Sequence, residues 1–316
     1  MKPALYGLLF AFLGLVNLTA ADTWVAVGYG GRRMISHDGK TWEISTEWAV
    51  NGGDDSNNLI SAAYGHGKFV VVGGGGFSKE TQGGHILTST DGKEWKEVHH
   101  EPFRVSPIVF NGQRFVAGGP ERKLLWSDDG EKWETGAQIA ADGFPGWAMW
   151  FRQGAYGNGT YVFMGEGGAK KEFFWCITST DGKTASFRRD LPQLRSLAFG
   201  AGLFVAVGNE IVLTSTDGKE WTKQERPGEK LDWILWTGRE FLSGGGKTAI
   251  LSKDGKNWIP TAFKPMGRPL WSDGTHFIGT SWPGKMSYSP DGLQWMKAND
   301  LTPDGINSVV KAEEGK

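Results

Sequence analysis

The chain of 316 residues carries 34 Lys and Arg against 35 Asp and Glu, a formal net charge of −1. Acids and bases are interspersed instead of forming blocks, which excludes the basic footprint of a nucleic-acid binder. The single cysteine, Cys176, excludes an internal disulfide, and 48 glycines spread over the whole length suit many short strands joined by tight turns.

The first predicted element is a leader. Lys2 precedes an apolar stretch from Ala4 to Val16, and the small residues Ala20 and Ala21 follow. This is the pattern of a secretory signal peptide over 1–21, cleaved near Ala21. The apolar run is too short for a spanning helix. Residues 22–316 hold no second run of that kind, so they are read as one exported domain, secreted or periplasmic, and monomeric.

A heptapeptide then organises the rest. It reads S-T-D-G-K-E-W at 215–221 and recurs at 36–42, 89–95, 127–133, 252–258 and 289–295; a copy at 179–185 has Ala185 where Trp is expected, with Phe187 nearby. The aspartates are Asp38, Asp91, Asp129, Asp181, Asp217, Asp254 and Asp291, at intervals of 53, 38, 52, 36, 37 and 37 residues. Such a period means a repeat architecture. Asp-Gly between apolar runs is a hairpin turn, because glycine accepts positive φ and the Asp carboxylate bonds nearby backbone donors. The Trp four residues after the Asp supplies a large apolar plate. The motif therefore reads as a folding device.

Each unit has one internal order, clearest at 195–224: strand, tight turn, strand, loop, strand, the Asp-Gly turn and a fourth strand. Six units are complete. The first lacks its opening strand, and Ile306-Asn-Ser-Val-Val310 has the pattern of the missing piece. The predicted fold is all-β, a seven-bladed propeller of four-stranded antiparallel blades, closed by a C-terminal strand that completes the first blade. The long segments 51–58, 73–84, 137–151 and 165–171 fall on the face opposite the Asp-Gly turns, where function is expected.

The S-x-D-G-x-x-W series, with the apolar strand before it, resembles the Asp-box repeat (BNR-like) of the sialidase-like propeller superfamily over essentially all of 22–316. That resemblance implies a propeller whose boxes are structural. It leaves activity open, since the superfamily includes glycosidases, lectins, sorting receptors and photosystem II assembly factors. Phe103-Arg104-Val105-Ser106-Pro107 resembles the F-R-I-P motif of true sialidases. It falls in the third blade, and the blade count is seven instead of six.

Aligned on the aromatic residue of the second strand, the inner strands begin at Ile60, Ser106, Arg152, Arg195, Asp232, Arg268 and Ile306. Converging Arg152, Arg195 and Arg268 would suit a carboxylate, sulfate or phosphate; the alternative is pairing of Arg195 or Arg268 with Asp232 between blades. Trp48, Trp147, Trp150 and Trp282 fall in or beside rim segments, where an indole stacks on a sugar or packs between blades. Glu166 and Asp232 are the weak candidates for an acid/base pair. Cys176 lies in an apolar run and reads as a buried, inert thiol. His99 and His100 are adjacent, so on an extended chain they point apart, and no third ligand is identifiable. Asp54-Asp55-Ser56-Asn57-Asn58 lacks a calcium spacing. Asn158-Gly-Thr160 is a glycosylation sequon, informative only in a eukaryotic secretory host. No metal and no cofactor is expected. The leading function is a binding module for an anionic or glycan-like ligand or a protein partner. The alternatives are a glycoside hydrolase or lyase, and an assembly scaffold resembling the photosystem factors.

Overall fold

Twenty-eight strands form seven four-stranded antiparallel sheets in the computed structural model, which describes residues 23–48, 57–75, 83–139, 149–167, 173–225, 230–245, 249–298 and 305–313. The leader at 1–21, Trp147 and Asp54 to Ser56 lie outside the described residues. Blade 1 joins Trp24–Gly28, Arg33–Ser36 and Glu43–Thr46 to Ile306–Lys311 as its innermost strand, with Val25 opposite Val310. The innermost strands of blades 2 to 7 are Leu59–Gly65, Ile108–Phe110, Met149–Gly157, Leu194–Gly200, Trp233–Trp236 and Arg268–Ser272. Each touches the next, and Arg268–Ser272 touches Ile306–Lys311, so the ring closes as the sequence predicts.

Strand composition follows position. Second strands read as unbroken apolar runs, such as Val70-Val71-Val72, because both faces of each are buried against neighbouring blades. Fourth strands, such as Glu43–Thr46 and Thr222–Gln224, are polar and largely exposed, which protects the outer edges from pairing with other chains. Among the described residues the buried apolar side chains divide into seven clusters, one between each pair of adjacent blades. Ala26 and Met34 of blade 1, for example, pack with Ile278, Met286 and Tyr288 of blade 7.

The repeated turn explains how those interfaces are set. Ser215 Oγ accepts from the N–H of Gly218 at 2.8 Å and donates to Asp217 Oδ1 at 3.0 Å. Asp217 Oδ1 also accepts from the N–H groups of Lys219 and Glu220, at 2.8 and 3.0 Å. The same pair of backbone bonds reaches all seven aspartates. Trp221 Nε1 donates to the Gly218 carbonyl at 2.9 Å, and the other five Trp-bearing copies repeat that bond. Each of these indoles packs in or against the apolar cluster shared with the preceding blade.

The glycine is the contact point. Gly218 has φ +75°, and a Cβ there would lie 2.3 Å from Val162 of blade 4. At Gly92 of blade 2 a Cβ would lie 2.9 Å from both Val25 and Ile35 of blade 1. The turn that lacks Trp compensates in two ways. Its Gly182 carbonyl accepts the N–H of Ala137 from blade 3 at 3.0 Å, and Phe187 packs on the cluster between blades 3 and 4, 6.4 Å from Trp175.

All seven turn carboxyls are held below the ordinary Asp range. At Asp217 the N–H bonds of Glu220 and Lys219 are the main cause, and at Asp291 those of Gln294 and Leu293. A carboxyl with a depressed folded pKa adds stability that is complete above its unfolded value, near pH 4, and is lost as pH falls through the folded value. The melting temperature is therefore expected to fall steadily below about pH 4, with proton uptake on unfolding; a flat melting temperature down to about pH 2 would contradict the role of these turns. Gly218→Ala is expected to cost more than about 1 kcal/mol in denaturant unfolding, because strain and overlap add. Unchanged stability would show that the blades slide freely past this point.

Candidate functional site

The two faces of the ring carry different chemistry. On the turn face, connections between first and second strands bond across to the Asp-Gly turns. Asn158 Nδ2 donates to the carbonyls of Gly202 and Thr216, each at 2.9 Å. Arg114 donates to the Asp181 carbonyl at 3.0 Å while its guanidinium pairs with Asp128. The sequon asparagine is thus part of a blade-to-blade link. On the opposite face the starts of the inner strands and the longer connections surround a central channel of about 1270 Å³.

Strand irregularity aims two of the arginines. In blade 4, Phe151 pairs with Gly165 and Gln153 with Met164, which leaves Arg152 as the extra residue of a bulge. In blade 5, Leu194 pairs with Gly208 and Ser196 with Val207, which leaves Arg195 in the same setting. A bulged residue is released from the alternation of the strand and re-aims its side chain. Both line the channel. Arg268 lines it too, but by a different route: it pairs regularly with Thr280, and the bulge of blade 7 comes at Leu270. The inner strands of blades 7 and 1 do begin at Arg268 and Ile306, but their bulges come later: in blade 1 Ile306 pairs with Gly28 and Asn307 is the bulged, channel-lining residue.

The charged lining comprises Arg104, Arg152, Arg195, Lys264 and Arg268 against Glu166 and Asp232. Arg152 Nε donates to Glu166 Oε1 at 2.9 Å. Asp232 is flanked by Lys230 Nζ at 2.9 Å and by Arg195 Nε at 3.2 Å. The Arg195 contact lacks the alignment of a hydrogen bond, so Asp232 Oδ1 stays buried without one. Neither Lys264 nor Arg268 has an ion-pair partner among the described residues. Solvent reaches Arg268 through the mouth, yet protein atoms crowd it elsewhere. That desolvation lowers its pKa, and nearby Asp232 opposes the shift.

The channel thus brings together Arg152, Arg195, Arg268, Glu166 and Asp232, with an excess of positive charge among the described residues. Arg104 and Lys264 are additional members that strand alignment misses, because both stand in connections outside the strands. The tryptophans do not form one platform. Trp282 is 72 % exposed and meets Tyr29 edge-on at 5.7 Å on the rim of blades 7 and 1. Trp150 lines a small cavity together with Phe103, Arg104 and Arg152. Trp48 packs on Gly31 and on the His85 ring at blade 2.

Two titratable features lie away from the channel. His85, Glu97 and His100 form a cluster able to offer ligand atoms to a cation. Cys176 is buried, its Sγ donates to the Gly218 carbonyl at 3.3 Å, and burial pushes its pKa up to about 12. The inert-thiol reading is accordingly expected to show as negligible labelling by a disulfide reagent in the native protein and complete labelling after unfolding. Fast native labelling would contradict it.

The fold and its channel define the chain as a seven-bladed β-propeller. Among solved structures it is similar to a YCF48 protein bound to D1 peptide, at 16% identity and TM-score 0.59 over 89% of this chain and 90% of that one. It is also similar to YCF48 from Cyanidioschyzon merolae, at 15% identity and TM-score 0.52 over 76% and 84% of the two chains. A third is selenomethionine-substituted virginiamycin B lyase from Staphylococcus aureus, at 11% identity and TM-score 0.53 over 89% and 95%. At these identities the likeness is one of fold. No protein-family model and no curated protein sequence matches the chain.

Proposed function

We propose that the protein is a binding module of the Asp-box propeller type that takes an acidic segment of a protein partner into the mouth of its channel. The observation that carries this reading is the surplus of cations there, with Lys264 and Arg268 free of ion pairs among the described residues. A guanidinium already exposed in a partly desolvated wall gains most from an incoming carboxylate. The channel volume of about 1270 Å³ exceeds what a small ligand fills, and suits a stretch of chain. A propeller of similar fold that is bound to a peptide supports the same use of this architecture.

The hydrolase reading is less well supported. Glycoside hydrolysis needs one carboxyl to give up a proton and a second to act as base or nucleophile. Here Glu166 is engaged by Arg152, and Asp232 lies between Lys230 and Arg195. The glycan reading draws on exposed Trp282, which stands on the rim beside Tyr29.

Fluorescence anisotropy with a labelled poly-aspartate peptide, a neutral peptide of equal length and a sulfated oligosaccharide tests the proposal. The acidic peptide is expected to bind preferentially and to weaken as salt rises. Arg268→Ala with Lys264→Ala is expected to weaken it by about tenfold or more, and Asp232→Asn to tighten it. Equal binding of all three probes, or indifference to these substitutions, would refute the acidic-peptide assignment. Preference for the oligosaccharide would transfer the site to a glycan.

A further inference from the structure

Blade 2 carries a second constellation, built by a bulge in its outermost strand. His85 is the second residue of the strand Gly84–Ser89 and stands directly opposite His100 in Lys96–Glu101. In a regular strand, Glu97 and His100 would point to opposite sides, because they are three residues apart. Here Ile86 pairs with His99 and Leu87 with Glu97, so Val98 is an extra residue and the alternation is reset. Glu97 and His100 therefore face the same way, toward His85. Glu97 Oε1 lies 2.8 Å from His85 Nδ1 and 3.2 Å from His100 Nδ1, and one potential ligand atom from each residue lies within 4.8 Å of the others.

We propose that His85, Glu97 and His100 form a binding site for a divalent transition-metal cation of the zinc class. Two imidazoles and one carboxylate are a donor set suited to zinc, nickel or copper, and a poor one for calcium or magnesium, which take oxygen ligands. Glu97 Oε1 stands from each imidazole nitrogen at close to the roughly 3.4 Å that two ligand atoms keep around a tetrahedral metal, and exposed His100 and Glu97 have the freedom to adjust. A neutral imidazole can offer a lone pair from either ring nitrogen, because its proton moves to the other.

Independent features mark the site as built. His85 is 6 % exposed, and its Nε2 is buried without a hydrogen-bond partner. The Trp48 ring covers His85 at 4.8 Å and is itself stacked by the Arg33 guanidinium at 4.9 Å, which anchors the ligand from blade 1. The neighbouring acid is differently committed: Glu101 accepts from Lys123 at 2.8 Å and meets His99 at 2.9 Å. A cation is thus directed to His100 and away from the adjacent His99. The site clips the two outer strands of blade 2 together and leaves a coordination position for water.

Zinc titration of untagged, demetallated full-length protein near neutral pH, in competition with a chromophoric chelator, tests the proposal. One equivalent of Zn²⁺ is expected to bind and to raise the melting temperature. His100→Ala and Glu97→Gln, both at accessible positions, are each expected to weaken binding by about tenfold or more, with unchanged circular dichroism. His99→Ala is expected to bind like the parent. Failure to saturate at one equivalent, parent-like binding by His100→Ala, or equal loss in His99→Ala would each overturn the assignment.

Discussion

The contact between the glycine of each Asp-Gly turn and the preceding blade is the constraint on which the ring depends. Gly218 leans on Val162, Gly92 on Val25 and Ile35, and Gly39 on Ile278 across the closing seam. At Gly218 and Gly92 only a residue without a Cβ and with positive φ fits such a place. The Ser and Asp side chains hold the turn in that shape by taking up its backbone N–H groups, and the indole seals the cluster behind it. Repetition turns a local hydrogen-bonding habit into a fixed angle between blades. The turn without Trp shows how general the requirement is, because Ala137 and Phe187 supply from other positions what the missing indole would contribute.

Locking one face leaves the other available for chemistry. The inner strands start on that side, and at Arg152 and Arg195 a bulge frees one side chain from the alternation that governs the rest of the strand. Outer strands use the same device, since the extra residue Val98 gathers Glu97 and His100 on one side of blade 2. Irregularities of pairing therefore make both the channel lining and the histidine cluster. They cost a ladder bond or two in blades whose stability rests on packing between neighbours.

Much of this was legible in the sequence. Seven Asp-Gly turns, the order of strands and the stray segment at 306–310 were enough to specify the ring and its seam. Arg152, Arg195, Arg268 and Asp232 could be placed at the starts of inner strands because the second-strand aromatic gives a common origin, whereas Glu166 was a candidate only from its place near the end of a second strand. The positions of the bulges, as at Leu270 and Asn307, could not be read there, since a bulge leaves no mark in residue spacing alone. Partners were harder still to read. The Arg195–Asp232 contact was one of two alternatives, whereas Arg152–Glu166 depends on which residue faces which across two strands. The link from His85 to His100 spans a hairpin whose register only the folded chain reveals.

Closure by Ile306–Lys311 has a consequence for how the molecule comes into being. During synthesis Trp24–Gly28 emerges before every other strand of the ring, yet its inner-edge partner emerges after all of them. The loop to be closed is very long, but its entropic cost grows only by about 0.6 kcal/mol for each doubling of length. Completing the ring is therefore inexpensive at equilibrium and late in time. Until then blade 1 presents the bare edge of an apolar strand, an invitation to the wrong partner. The run Val25 to Val27, fully buried in the finished ring, lies along that open edge until the circle is complete.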